Sequence, residues 1–302
     1  MDLRILQTFI RVAELGSVAR AATVLNQTQP TISRQIAALE RELGGQLFIR
    51  HRRGMNLSSS GEQFLNAALQ ALRNLDQAKA EFAAHAEEPA GTVSLGLPPI
   101  LLSVLSGPVV DHFAKAYPRV LLHVYEAVAH RLEELMRSGE VDLAVLLAER
   151  KVLRNVALTP LGVEQVMLVG PRHARLDPRK PVGFEALAGL PLLTYRPPNY
   201  FRLITEAGLR KQGFAFKAVV ELETLPLAVE LIERGTGYLI SARSGLRSGA
   251  RITMAPLRGM SVTWTLAVNR ERAQGIAVRA LAAVIRSQAE TLIRDGIWKK
   301  PR

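Results

Sequence analysis

Residues 17–43, SVARAATVLNQTQPTISRQIAALEREL, carry the strongest structural signal in the chain. Ser17 is a good N-cap for a short helix in which Ala21 and Ala22 allow close approach and Leu25 faces a core. Asn26-Gln27-Thr28 supplies a tight polar turn. Gln29-Pro30 then opens a second helix, since proline costs nothing in a first turn where its missing N–H has no partner. Ile32, Ile36, Leu39 and Leu43 form its apolar stripe, and Gly44-Gly45 stops it. With that stripe buried, Gln29, Pro30, Ser33, Arg34, Ala37 and Arg41 lie on the outer side. Two short helices joined by a tight turn, with Gln, Thr, Ser and Arg at the amino end of the second, describe a helix-turn-helix. Gln and Arg can bond base edges bidentately, while Thr31 and Ser33 reach phosphates or bases.

The flanks extend the unit. Upstream, Leu3, Leu6, Phe9, Ile10 and Ala13 recur at helical spacing and predict an amphipathic helix ending at Gly16. Downstream, Leu47-Phe48-Ile49 and Met55-Asn56-Leu57 read as two strands around an Arg52-Arg53-Gly54 turn, a wing with Arg50, His51, Arg52 and Arg53 near its tip. Cations on such a tip suit phosphates or the minor groove. A polar helical hairpin and an Arg-rich turn also occur as plain solvated surface, and His51 reads as a phosphate contact or surface, not a metal ligand.

Further on, Ser59-Ser60-Gly61-Glu62 has the spacing of a capping box. It launches a helix through residues 59–90 with Leu65, Ala68, Leu72, Leu75, Lys79, Phe82 and Ala86 at three- and four-residue steps. That pattern suits either a self-pairing helix, with Leu65, Leu72, Leu75 and Phe82 at the seam, or a helix packed on its own domain. From Thr92 onward, short apolar runs alternate with helical patterns. Strands are expected at 92–97, 120–127, 141–147, 164–170, 191–195, 217–222, 237–241 and 263–268, and helices at 100–116, 128–138, 198–212, 224–234 and 273–294. Such alternation predicts α/β architecture with buried, mostly parallel strands.

Composition removes whole classes of activity. The 302 residues contain no cysteine, which excludes disulfides, thiolate metal sites and thiol chemistry. Aromatics are only 5%, too few for a base-stacking surface. The histidines (51, 85, 112, 123, 130, 173) form no i,i+4 pair, so no metal site and no cofactor are expected. Nucleophile-elbow, zinc-protease, phosphate-loop and dinucleotide motifs are absent, which argues against an enzyme. No apolar run approaches the ~20 residues of a membrane span, and Asp2, Arg4 and Arg11 interrupt any leader-like start, so a cytoplasmic location is expected. The formal charge is +12, but its distribution is uneven. Residues 1–58 hold eight Lys/Arg against four acids, 59–90 two against five, and 91–302 the remaining 29 against 18.

The run LQTFIRVAELGSVARAATVLNQTQPTISRQIAALERELGGQLFIRHRRGMNLSSSGEQFL resembles the winged helix-turn-helix of LysR-type transcriptional regulators. The likeness rests on Phe9, Val12, Ser17, Ala21-Ala22, Leu25, Gln29-Pro30, Ser33, Ile36, Leu39-Glu40, Leu43-Gly44, Leu47-Phe48, Arg50, Leu57 and Gly61. Val18 stands where an aromatic is common, and Ser58 where threonine is usual. The rest of the chain is similar to the effector domain of that family, which is like type-2 periplasmic binding proteins. GTVSLGLPP, SGEVDLAVL, ALAGLPLLTYRP and LIERGTGYLISARSG carry that likeness.

The resemblance implies a DNA-binding domain at 1–58, a linker and dimerisation helix at 59–90, and an effector-binding domain at 91–302. The effector domain would have one lobe from 91–161 plus 268–302 and another from 162–267. Double-stranded DNA would meet Gln29, Pro30, Thr31, Ser33, Arg34, Arg50, Arg52 and Arg53. A small molecule would sit between the lobes against Pro99, Ile100, Leu101, Val128, Leu147, Arg196, Asn199, Glu223 and Thr224. The family pairs subunits through the linker helix, so self-association as a dimer or a dimer of dimers is implied, with RNA polymerase as a further partner. Ile100 and Leu101 stand where relatives carry hydroxyls, so an apolar, weakly acidic or aromatic effector fits better than a small dicarboxylate. A second reading is an architectural DNA-binding protein with a degenerate, ligand-independent sensor domain.

Overall fold

Capping residues delimit the amino-terminal helices. The computed structural model describes residues 2–51, 54–83, 89–147, 155–246 and 249–301. It divides into two compact units, Met1–Thr92 with Ser138–Glu140, and Val93–Arg137 with Val141–Arg302. In the first unit, the Asp2 carboxylate accepts the Arg4 N–H at 2.9 Å to start α1 (Leu3–Leu15), and Gly16 ends it with a left-handed φ of 59°. Ser17 caps α2 (Val18–Val24), and Thr28 caps α3 (Gln29–Leu43) with Pro30 in its first turn. Phe9, Val12, Ala21, Ile32 and Leu39 make the shared core. Leu3 and Leu43, expected on the buried stripes, are 45% and 43% exposed. Both are terminal residues of their helices, beyond the crossing region where α1, α2 and α3 meet.

Strands β1 (Phe48–His51) and β2 (Gly54–Leu57) pair antiparallel, with Phe48 opposite Leu57. The Phe9 ring sits 5.4 Å from Phe48 and 5.2 Å from Phe64, joining α1, the wing and α4 (Ser59–Ala83). The cap of α4 is Ser58, not Ser59. Its hydroxyl accepts the Gly61 N–H at 2.9 Å and donates to the Gln46 carbonyl at 2.6 Å. Helix α4 ends at Ala83 as described, residues 84–88 lie outside the described residues, and Pro89-Ala90 is non-helical.

The second unit is built on one eight-stranded sheet, ordered β4-β3-β5-β10-β6-β9-β7-β8. Its strands are β3 (Gly91–Leu97), β4 (Val120–Glu126), β5 (Leu143–Leu147), β6 (Val156–Pro171), β7 (Leu192–Tyr195), β8 (Ala218–Leu222), β9 (Tyr238–Ala242) and β10 (Ile252–Asn269). Helices α5 (Gly107–Ala116), α6 (Ala129–Arg137), α7 (Tyr200–Lys211), α8 (Leu225–Glu233) and α9 (Ile276–Arg294) pack against it. The expectation of a mostly parallel sheet needs correction. β3–β5, β7–β8 and β7–β9 are parallel, but β10 runs antiparallel to β5 and β6, and β6 to β9.

The cause is that β6 and β10 are long crossing strands, expected only over 164–170 and 263–268. Pro160 and Gly162 look like strand breakers, yet they mark a register shift inside a continuous ladder. Trp264 faces Gly162 while Thr265 faces Pro160. On one side of this shift lie β3, β4 and β5, and on the other β7, β8 and β9. The shift in β10 falls between Trp264 and Thr265. The helix expected over 100–116 is also broken. A 3-10 turn (Pro99–Leu101) and a π turn (Leu102–Ser106) precede α5, whose second residue Pro108 has no N–H to continue an α ladder backward.

Candidate functional site

In the first unit the candidate surface is the outer face of α3. Gln29, Pro30 and Arg34 are exposed, and Thr31 and Ser33 half-buried. The Thr31 and Thr28 hydroxyls lie 2.8 Å apart, and the Arg34 Nε donates to the Pro30 carbonyl at 3.3 Å. The helix is held by residues that were not singled out from sequence. The Thr8 hydroxyl on α1 donates to the Gln35 side-chain carbonyl at 2.9 Å. The Glu40 carboxylate accepts the N–H groups of Leu47 at 2.8 Å and Phe48 at 3.2 Å, so an acid of α3 anchors the wing. Its place beside Leu39 in the family-like motif was the available signal.

His51 is exposed at the end of β1. Arg52 and Arg53 lie outside the described residues, as do the side chains of Arg50 and Phe82. On α4, Leu65 and Leu72 pack in part against the core of their own unit, and Leu75 is half-buried.

In the second unit a cavity of about 100 Å³ opens where strand ends and helix starts converge. Pro99, Ile100, Val128, Leu147, Asn199 and Glu223 line it. Three other expected residues do not. Leu101 is fully buried in the core, because the 3-10 turn points it inward. Thr224 begins α8 without facing the cavity, and Arg196 is exposed outside the lining, with its guanidinium 3.3 Å from the Glu223 carboxylate. Sequence reasoning missed Tyr195, Tyr200, Phe201 and Trp264, which contribute aromatic walls. Tyr195 at the end of PLLTY was the one visible signal. Burial pushes its hydroxyl up to about 12, so it stays protonated.

Trp264 is fixed from behind. The Glu164 carboxylate accepts its Nε1–H at 2.7 Å, that of Trp298 at 3.2 Å, and the Ser244 N–H at 2.5 Å. The two indoles stack with centroids 6.3 Å apart. Burial raises the Glu164 carboxyl above its ordinary 4.5, while these neutral donors oppose the shift. Asn199 caps α7 by accepting the N–H groups of Phe201 at 2.9 Å and Arg202 at 3.3 Å. Arg202 is committed to Glu206 at 2.7 Å and Glu221 at 2.5 Å, and stands over the Phe216 ring. Among the described residues, no cluster of three His, Asp or Glu could hold a metal ion, and no helix is long and apolar enough to cross a membrane.

Both halves match family descriptions. Residues 3–62 match the bacterial regulatory helix-turn-helix of the lysR family, and residues 86–290 match the LysR substrate binding domain. The chain belongs to the LysR family of transcriptional regulators. It is 30% identical to the HTH-type transcriptional regulator BbuR of Bordetella bronchiseptica, over 99% of this chain and 93% of that one. It is 28% identical to the nitrogen assimilation regulatory protein nac of Klebsiella aerogenes, over 93% and 92%. Its fold resembles a full-length OxyR variant from Pseudomonas aeruginosa (TM-score 0.75, 20% identity, 100% and 99% covered). It also resembles full-length CbnR complexed with target DNA (TM-score 0.70, 22% identity, 95% and 100% covered). As a LysR regulator it is a DNA-binding transcription factor carrying a substrate-binding domain, and not an enzyme.

Proposed function

We propose that α3 enters the major groove with Gln29, Ser33 and Arg34 toward base edges, and Pro30 and Thr31 toward the phosphate backbone. Arg50, Arg52 and Arg53 of the wing hold phosphates or the minor groove. We assign residues 1–58 to DNA reading, 59–90 to pairing of two copies, and 91–302 to ligand sensing. In the pair, Leu75 and Phe82, with the outer sides of Leu65 and Leu72, form the seam, and two heads read a two-fold related site in the cytoplasm. A small apolar or aromatic effector occupies the cavity against Pro99, Ile100, Val128, Leu147, Asn199 and Glu223. It shifts the balance between lobe arrangements and so the spacing of the heads, which alters DNA bending or access to RNA polymerase.

The observation that carries this reading is the exposed Gln29, Pro30 and Arg34 face on a helix capped by Thr28 and braced by Thr8 and Glu40. The cavity favours a sensor over a ligand-independent architectural protein.

Binding of the full chain to its selected operator tests the assignment. Gln29→Ala should cost about 1–3 kcal/mol of discrimination at one base pair. Arg52→Ala should weaken all sequences alike and reduce the salt slope by about 1. A changed base preference with an unchanged salt slope in Arg52→Ala would overturn the role of the wing.

A further inference from the structure

Prolines thin out the backbone donors usually available at strand ends and helix starts in this cleft. After β3 the chain runs through Pro98 and Pro99, neither of which has an N–H, and the next amide but one, that of Leu101, is bonded to the Pro98 carbonyl at 3.0 Å. Before α7, Pro197 and Pro198 remove two more, and Asn199 takes the N–H groups of Phe201 and Arg202. In α8, Pro226 removes another from the first turn. Free N–H groups in such turns are what bind carboxylates and phosphates. Here prolines take donors from three of the turns around the cavity and Asn199 takes two more at α7, while the proline-free first turn of α6 at Val128-Ala129 keeps its N–H groups.

Side-chain charge has the same sense. Among the described residues the only charged lining residue is Glu223, an acid. Arg196 is outside the lining and paired with that acid, and Arg202 is held by Glu206 and Glu221. Behind the Trp264 wall lies another carboxyl, Glu164. An incoming carboxylate would lose water and find no unpaired cation in the lining, since Arg196 is already paired with Glu223 at the rim. What the cavity does offer is ring faces, from Tyr195, Tyr200, Phe201 and Trp264. Its volume of about 100 Å³ leaves room for no more than one ring. For scale, apolar cavities of roughly 150 Å³ take up benzene.

Taking the cleft as the effector site, we propose that it selects an uncharged molecule built on a single aromatic ring and excludes carboxylates. The discriminating elements are the proline-rich turns, the Asn199 cap and Glu223. The polar group of the ligand points toward the mouth, and its ring lies among the aromatic walls.

The test uses the full chain and its own fluorescence, because Trp264 lines the cleft and Trp298, the only other tryptophan, stacks on it. Benzyl alcohol and benzoate, a matched uncharged and anionic pair, are titrated at one neutral pH and ionic strength, with thermal shift as a second readout. The same titrations are run on Val128→Phe, which fills the cavity. Benzyl alcohol is expected to bind with a Kd at least about tenfold below that of benzoate, and Val128→Phe is expected to abolish the response. Benzoate binding equal to or tighter than benzyl alcohol, and lost in Val128→Phe, would overturn the proposed class while leaving the cleft as the site. No response to either probe, or a response that survives Val128→Phe, would overturn the cleft as the effector site itself.

Discussion

The amino-terminal head and the carboxy-terminal sheet unit position their working side chains by opposite means. In the head, caps act within a few residues: Asp2 on Arg4, Ser17 on Arg20, Thr28 on Thr31, Ser58 on Gly61. In the sheet unit, the Trp264 wall depends on Glu164, 100 positions away, and Glu164 is shared with Trp298, 134 positions away. A surface built by local capping tolerates change elsewhere in the molecule. A cavity wall built by crossing strands inherits every disturbance of those strands. The head therefore rests mainly on short-range contacts, and the cavity wall of the sheet unit on long-range ones.

Trp264→Ala puts this contrast to its hardest test. Loss of a fully buried indole should cost about 3–5 kcal/mol in denaturant unfolding followed by Trp298 fluorescence. A loss below about 1 kcal/mol would mean the crossing strands do not depend on the indole pair. Gly61→Ala is the counterpart in the head. A Cβ there would lie 2.0 Å from the Leu47 carbonyl oxygen, and overpacking of this kind costs roughly 1–3 kcal/mol. The expected result is weaker operator binding with an unmoved tryptophan-detected transition, since both tryptophans lie in the sheet unit. A shifted tryptophan transition would break the separation of the two regions.

Glu164 sharpens the comparison through pH. Its folded carboxyl titrates above the ordinary 4.5, so the unfolded chain ionises first as pH rises. Stability should fall from near that pH upward, until the folded group ionises too, and then level off. Glu164→Gln should remove this segment from a plot of unfolding free energy against pH, whatever its absolute stability. The smallest effect is expected at the rim. Arg196 and Glu223 have side chains 66% and 72% exposed, so Arg196→Ala should change stability by no more than about 0.5 kcal/mol in the same unfolding assay.

The two regions also differ in how much of them could be read from residue order. Helical period, caps and Gly16 and Gly44 outline the head because its interactions are short in sequence. Even there, Leu3 and Leu43 go astray, since periodicity says which side of a helix is apolar but not how far its neighbours extend. In the sheet unit, strand positions were visible but pairing was not. Pro160 and Gly162 look the same in a loop as in a register shift. Leu101 and Ile100 are equally apolar neighbours, and only the 3-10 turn sends one into the core and leaves the other on the cavity. Tyr200, Phe201 and Trp264 carry no motif that marks them as cavity walls.

The sequence by itself determined the winged helix-turn-helix and the outward Gln29, Pro30 and Arg34, because these rest on local spacing and capping chemistry, and it carried the motifs by which the chain resembles a regulator family. The mixed sheet, the Glu164–Trp264–Trp298 cluster and the aromatic, counter-charge-poor lining of the cleft were decided only by tertiary structure. Each joins residues on separate strands and turns, and which of them meet depends on strand order and register, quantities that no single stretch of chain encodes.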